Sequence, residues 1–172
     1  MKKIAILALT LFGVMGCQEQ QKIAFVDNTE LINEYQEKKD IEAKFKEKIE
    51  AFQKKTDSMS KAFQLEVQKA QIDAQKMSRA NQEKLGLEIQ TKGQQLQQQL
   101  QLEEQQIAQA SQSEIDSLIK KVKSYIKDYG QTNGYSYILG SNEGGSVLYG
   151  TEANDLTQTL LDALNSEYKK PE

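Results

Sequence analysis

One thiol and no imidazole set the limits of the chemistry open to this chain: Cys17 is its single cysteine and histidine is absent. A His/Cys zinc site, a Ser-His-Asp triad and a Cys-His pair are thereby excluded, because each needs an imidazole or several thiolates held together. A lone thiol cannot close a disulfide within the chain. Neither the G-x-x-x-x-G-K-[ST] loop nor the G-x-G-x-x-G fingerprint occurs. Gly144-Gly145 has a hairpin-like context, and nothing around it marks a bound phosphate. Adjacent carboxylates such as Glu103 and Glu104 could do acid–base work in a dry cleft, but they lie on a hydrophilic helical stretch where solvated charge is the ordinary state. This residue set points away from an enzyme and implies no cofactor and no metal.

The chemistry left to Cys17 depends on what precedes it. Lys2 and Lys3 give a positive start, and residues 4–12 form an apolar run too short to span a bilayer comfortably. Small residues follow, which is the layout of a secretory signal over residues 1–16. Val14-Met15-Gly16-Cys17 resembles a bacterial lipobox, in which the cysteine becomes the lipidated N-terminus; Met15 departs from the favoured residue at its position. An ordinary cleaved signal with an incidental cysteine is the plainer alternative. Each buried CH₂ of an acyl chain contributes about 0.8 kcal/mol, so two or three chains hold a protein on a membrane without a transmembrane helix. Residues 17–21 would be the lipidated cysteine and a polar tether. Loss of residues 1–16 removes Lys2 and Lys3 and no acid, taking the net charge from −3 to −5. Nucleic acid is then a poor partner, since its binding rests on phosphate neutralisation.

The elements that surround these residues are mostly helical. With 7% aromatic residues, no Trp, one Pro and a mean hydropathy of −0.68, the chain cannot fill a large core but can build long solvated helices. No proline interrupts residues 28–129, where apolar residues recur every three or four positions. Phe45, Ile49, Phe52, Thr56, Met59 and Phe63 follow heptad steps on the outgoing limb. Leu85, Ile89, Leu96, Leu100, Ile107, Leu118 and Val122 mark the returning limb, which is rich in glutamine. Ser78 and Asn81 can cap a new helix, which predicts a tip near 78–81. Gly86 and Gly93 soften the start of the return. One unbroken helix in a parallel coiled coil is the alternative; the flanking strands, which need each other, favour the hairpin. Small or polar residues at many seam positions make the pairing thin and able to flex.

Strand-like pieces flank the arm: residues 22–27 (KIAFVD), 135–139 (YSYIL) and 146–149 (SVLY). Gly130 is expected to end the returning helix, and an amphipathic helix carrying Leu156, Leu160, Ala163, Leu164 and Tyr168 to close the chain. The fold class is therefore α+β. A small three-stranded sheet body, from residues 22–27 and 130–172, carries a long protruding α-helical hairpin as a coiled-coil arm. Three short strands and one helix are too little to stand alone, and open strand edges invite another copy. A homo-oligomer closed through the sheet follows, with Ile23, Phe25, Tyr137, Leu139, Val147, Leu148 and Tyr149 as its candidate body residues.

The layout and several of these stretches resemble the Skp/OmpH family of periplasmic chaperones. The resemblance is carried by residues 22–27, the glutamine-rich return limb, residues 134–139 (GYSYIL), residues 146–150 (SVLYG), and the Asn154-Asp155-Leu156-Thr157 start of the last helix. It implies a homotrimer whose strands join in a central body, with three helical hairpins around a cavity. It also implies ATP-independent holding of unfolded outer-membrane β-barrel proteins in the periplasm. The best-known members are basic and soluble, whereas this chain is acidic and bears a lipobox-like Cys17, so no basic residue carries over as a lipid site. Its lipid would hold it at a membrane, with the inner leaflet of the outer membrane as the expected place. Residues that touch a client are not indicated. A structural or adaptor coiled-coil envelope lipoprotein, with the arm as spacer, is the second reading. Replacing Cys17 with Ser is expected to abolish fatty-acid labelling and to release the protein from membranes; continued labelling would show that the thiol is not the acylation site.

Overall fold

In the computed structural model, residues 21–142 and 144–169 are described. The signal segment and Cys17 fall outside them. Strand β1 (Ile23–Asp27) leads without a loop into helix α1 (Asn28–Glu34). The join is capped by Asp27, whose Oδ1 accepts from the amides of Thr29 and Glu30 at 2.8 and 3.0 Å. Helix α2 (Gln36–Ala74) and helix α3 (Arg79–Thr132) form the arm, on the order of 60 and 80 Å long at 1.5 Å per residue. Strand β2 (Tyr137–Ser141), a 3₁₀ turn (Glu152–Asn154) and helix α4 (Thr157–Glu167) complete the body. Long helices and a small sheet thus agree with the α+β expectation, but among the described residues the sheet has two strands instead of the expected three.

Those two strands run parallel, with Ile23 opposite Tyr137 and Phe25 opposite Leu139. Parallel pairing needs a crossover, and here the crossover is the whole arm. Residues 146–149, expected to add a third strand, form none. The free edge of β1 is taken instead by the start of α4. Asp155 bridges Phe25, and the Leu156 amide donates to the Phe25 carbonyl at 2.9 Å. The Asp27 amide donates to Thr157 Oγ1 at 2.9 Å, while Asp155 Oδ1 accepts from the Thr157 amide and hydroxyl at 2.8 and 2.5 Å. With both edges of β1 occupied, residues 146–149 could join the sheet only at the outer edge of β2, where no strand pairs among the described residues.

The helix signals also differ in detail from the sequence. The outgoing helix breaks at Tyr35, an extended residue with ψ 125° whose side chain is fully buried. Its hydroxyl donates to Glu37 Oε2 at 2.6 Å, and its ring meets Tyr168 edge-on at 6.0 Å. The amide of Gln36, at the start of α2, donates to Asn165 Oδ1 of α4 at 2.9 Å. At the far end, Ser78 makes no side-chain cap; Gln82 reaches back to the carbonyls of Ala74 and Met77 at 2.8 and 3.2 Å and ties the tip. Helix α3 does not stop at Gly130. It ends in a Schellman arrangement at Gly134 (φ 70°), with Tyr135 N–H on Gly130 C=O at 2.9 Å. Gly130 instead provides clearance. A Cβ there would lie 3.1 Å from Ile138 Cδ1, so its bareness lets helix and strand touch.

The core gathers where these elements meet. Ala24 and Val26 of β1, Leu31 of α1, Tyr35, Leu118 and Val122 of α3, and Leu156, Leu160, Leu161 and Leu164 at α4 form one buried cluster. The root of the arm is therefore part of the body's core. Thr157→Val should leave the part-buried Asp27 amide unpaired and lower unfolding free energy by roughly 1–3 kcal/mol. An unchanged denaturation midpoint would mean that this latch contributes nothing.

Candidate functional site

Strand alternation decides what the body shows to its surroundings. Ala24 and Val26 point into the core, which turns Ile23 and Phe25 to the opposite face. Parallel register sets Tyr137 and Leu139 beside them on that face. Ile23, Tyr137 and Leu139 are 43%, 58% and 45% exposed, and Phe25 is half-buried. Gly150 passes against the Phe25 ring so closely that any Cβ would collide with it. That contact holds the preceding loop by the sheet, and Leu148 and Tyr149 on it are 92% and 85% exposed. Val147 is half-buried. Four of the seven residues expected to build an oligomer body thus share one sheet face, and the other three lie on the neighbouring loop. Among the described residues, the outer edge of β2 has no strand partner.

The arm is held in register by charge. Lys121 pairs with Glu37, Lys44 with Glu114, Lys55 with Glu103 and Lys92 with Glu66, all at 2.5–2.6 Å. The residue numbers of each pair share one total, 158, as an antiparallel hairpin without slips requires. Successive pairs step by eleven from Lys44 to Lys55 to Glu66. The apolar seam has the same period: Ile41, Phe52, Phe63 and Ala74 going out, Leu85, Leu96, Ile107 and Leu118 coming back. Eleven residues make three turns at 3.67 per turn, close to the 3.6 of a straight helix, whereas a heptad drifts. The heptad reading fails at Ile49, which is 45% exposed. Gly93 is not a soft point either; a Cβ there would stand 3.1 Å from the Phe63 ring, so its absence admits that ring to the seam.

Shallow grooves open between the limbs. Ile49, Phe52 and Ile107 line one of about 470 Å³ together with Gln53, Glu104 and Gln112. Met59, Phe63 and Leu96 line another with Glu66, Lys92 and Gln99. Leu65, Ile72, Leu87 and Leu102 are exposed singly along the arm. No residue pattern in the chain signals these grooves, because they arise where the two limbs of the seam part.

Titratable groups are engaged in packing and pairing. Burial, reinforced by its bond to Glu37, pushes the Tyr35 hydroxyl well above the usual phenol range. Burial likewise raises Tyr125 and Tyr168. Of the adjacent carboxylates, Glu103 pairs with Lys55 and Glu104 borders a groove. Gly145 (φ 87°) closes a turn by donating to Asn142 C=O at 3.0 Å. Among the described residues no cluster of three or more His, Cys, Asp or Glu could hold a metal ion, and no helix is long and apolar enough to cross a membrane.

A helical hairpin standing on a small body, with apolar residues exposed on both, defines an arm-bearing α+β protein. The family model of outer membrane proteins of the OmpH-like type matches residues 22–164, and the chain belongs to that family. The crystal structure of a candidate outer membrane chaperone (OmpH-like) from Caulobacter crescentus CB15 shares the fold, with a TM-score of 0.76 over 93% of this chain and 92% of that one at 16% identity. No curated protein matches the sequence directly.

The register of the arm can be tested by charge exchange. Lys55→Glu should face Glu103 with a like charge and loosen the mid-arm by a few tenths to about 1 kcal/mol at low salt, read as faster amide exchange there. Adding Glu103→Lys should restore protection. Failure of the double variant to recover would show that the two residues do not face each other.

Proposed function

We propose that this protein is an ATP-independent periplasmic holdase that keeps unfolded outer-membrane β-barrel proteins from aggregating. The observation that carries this reading is the arm: two long limbs with shallow apolar grooves set in a charged and glutamine-rich surface. An unfolded barrel strand is apolar on alternate residues and aggregates through its edges when exposed. Many weak apolar contacts along an arm, repeated on several arms, would hold such a chain by avidity without fixing its shape. The family and the chaperone description of the Caulobacter relative support the same reading.

The body supplies the reason for several arms. An apolar sheet face at Ile23, Phe25, Tyr137 and Leu139, an unpaired β2 edge and the exposed Leu148 and Tyr149 form a surface that a second and third copy can cover. The assembly proposed is a homotrimer closed through these residues and Val147. Cys17, by its lipobox-like setting, would carry the lipid that holds the trimer at a membrane, the periplasmic face of the outer membrane being the natural site. The ion pairs spread along the two limbs also favour the second reading, a spacer or adaptor lipoprotein, because they oppose sliding of one limb on the other. A spacer would bind one folded partner and have no general affinity for unfolded chains.

Two measurements test these proposals. The exported protein should suppress light scattering by an unfolded β-barrel protein at about one assembly per client, without nucleotide; unchanged scattering at a threefold excess would reject the holdase. Phe25→Asp or Leu148→Asp should convert the oligomer to monomers in mass measurements. Persistence of the native mass in both variants would place the contact between copies elsewhere.

A further inference from the structure

Three lysines on the last part of α3, with Lys22 and Tyr135 just beyond its end, lie toward the end of the body from which the N-terminal tether departs. Lys120, Lys123 and Lys127 follow spacings of three and four on α3 and are all exposed. None of them forms an ion pair among the described residues, whereas their neighbour Lys121 is committed to Glu37. Lys123 and Lys127 line a groove that runs to Tyr135. Over that ring stands Lys22, whose Nζ lies 3.9 Å from the ring centroid and donates to Asn133 C=O at 3.2 Å. Asp128 is the single acid within residues 120–132. In a chain of net charge −3 this is a local reversal of sign.

Its position gives it a partner. Lys22 is five residues from Cys17, so an extended tether reaches about 17 Å at most. The stripe from Lys120 to Thr132 covers about 18 Å of helix, ending beside Lys22. If Cys17 is acylated, as proposed above, the tether confines this end of the body to the headgroup layer. We infer that Lys22, Lys120, Lys123, Lys127 and Tyr135 form a docking face for an anionic lipid surface. Each lysine near such a surface gains from the negative potential, and a tyrosine suits the headgroup depth. The acyl chains supply residence; the face supplies orientation. The arms would then stand at a set angle to the membrane instead of pivoting on a loose thread.

The test removes the lipid from the question. A chain lacking residues 1–16 and carrying Cys17→Ser keeps every described residue but cannot be acylated. At low ionic strength it should sediment with phosphatidylcholine vesicles containing phosphatidylglycerol, more than with phosphatidylcholine alone. The triple variant Lys120→Gln/Lys123→Gln/Lys127→Gln should weaken that partition about tenfold or more. The arm variant Lys46→Gln/Lys61→Gln/Lys69→Gln, with the same change in charge, should keep it. Equal binding to both vesicle types, full retention by the first triple, or equal loss in both triples would overturn the assignment. Because all three proteins lack the thiol, a failed fatty-acid labelling of Cys17 in cells is a separate result and would be recognised as such.

Discussion

Everything in this molecule returns to one five-residue strand. β1 pairs with β2 along one edge and with the start of α4 along the other, and its last residue caps α1. Its alternate side chains anchor the core, while the intervening ones make the exposed face. Joining Phe25 to Leu139 closes a very long loop, but closure entropy grows only slowly with length. The stiff hairpin between them lowers the cost further, because its limbs bring their own ends back together. A short parallel pair would be marginal by itself; here it is supported by the helices packed over it.

The arm has the opposite economy. Its root is buried among Leu118, Val122, Tyr35 and the α4 leucines, whereas its outer length is joined by one thin line of side chains. The eleven-residue period stays close to the helix's own 3.6 residues per turn, and the ion pairs fix register more than they add stability. Phe63 slots over Gly93, where a Cβ would crowd the ring. Elsewhere the seam opens into grooves. A tightly zipped coiled coil would hide the apolar surface on which the proposed holdase function rests, and an unzipped one would lose its reach. The break at Tyr35 divides these two regimes: α1 belongs to the body and α2 to the arm, with Asn165 and Tyr168 of the last segment gripping the joint from outside.

Body and arm therefore offer different surfaces for different partners. The flat apolar face and unpaired edge on the body suit another strand of the same kind. The grooves and scattered leucines of the arm suit a chain without fixed shape. The lysine stripe at the tether end suits neither, since its character is charge, and it lies where a lipid anchor would bring it against headgroups. These three surfaces carry the functional argument.

The sequence by itself determined the long hairpin, its approximate turning point and the strand-like pieces at its base, because proline absence and three-four apolar spacing are local properties that a helix reads directly. It also singled out Ile23, Phe25, Tyr137 and Leu139, since alternation in a strand is local too. The OmpH-like family was legible from the short motifs around the strands and the Asp155-Leu156-Thr157 start of α4. What the tertiary structure decided was competition between distant segments. Residues 146–149 have a strand's composition, but the chain just after them is committed to β1, with Gly150 against the Phe25 ring and Asp155 on the strand edge, and they stay off the free edge of β2. Tyr35 has helical neighbours on both sides, yet its backbone is extended and its ring is buried in the core beside Tyr168. Gly130 and Gly93 look like helix breakers and act as clearances, because only the partner element reveals what a missing side chain makes room for. Local patterns fix which structures a segment can adopt; the contest for a shared edge or a shared core fixes which of them it does.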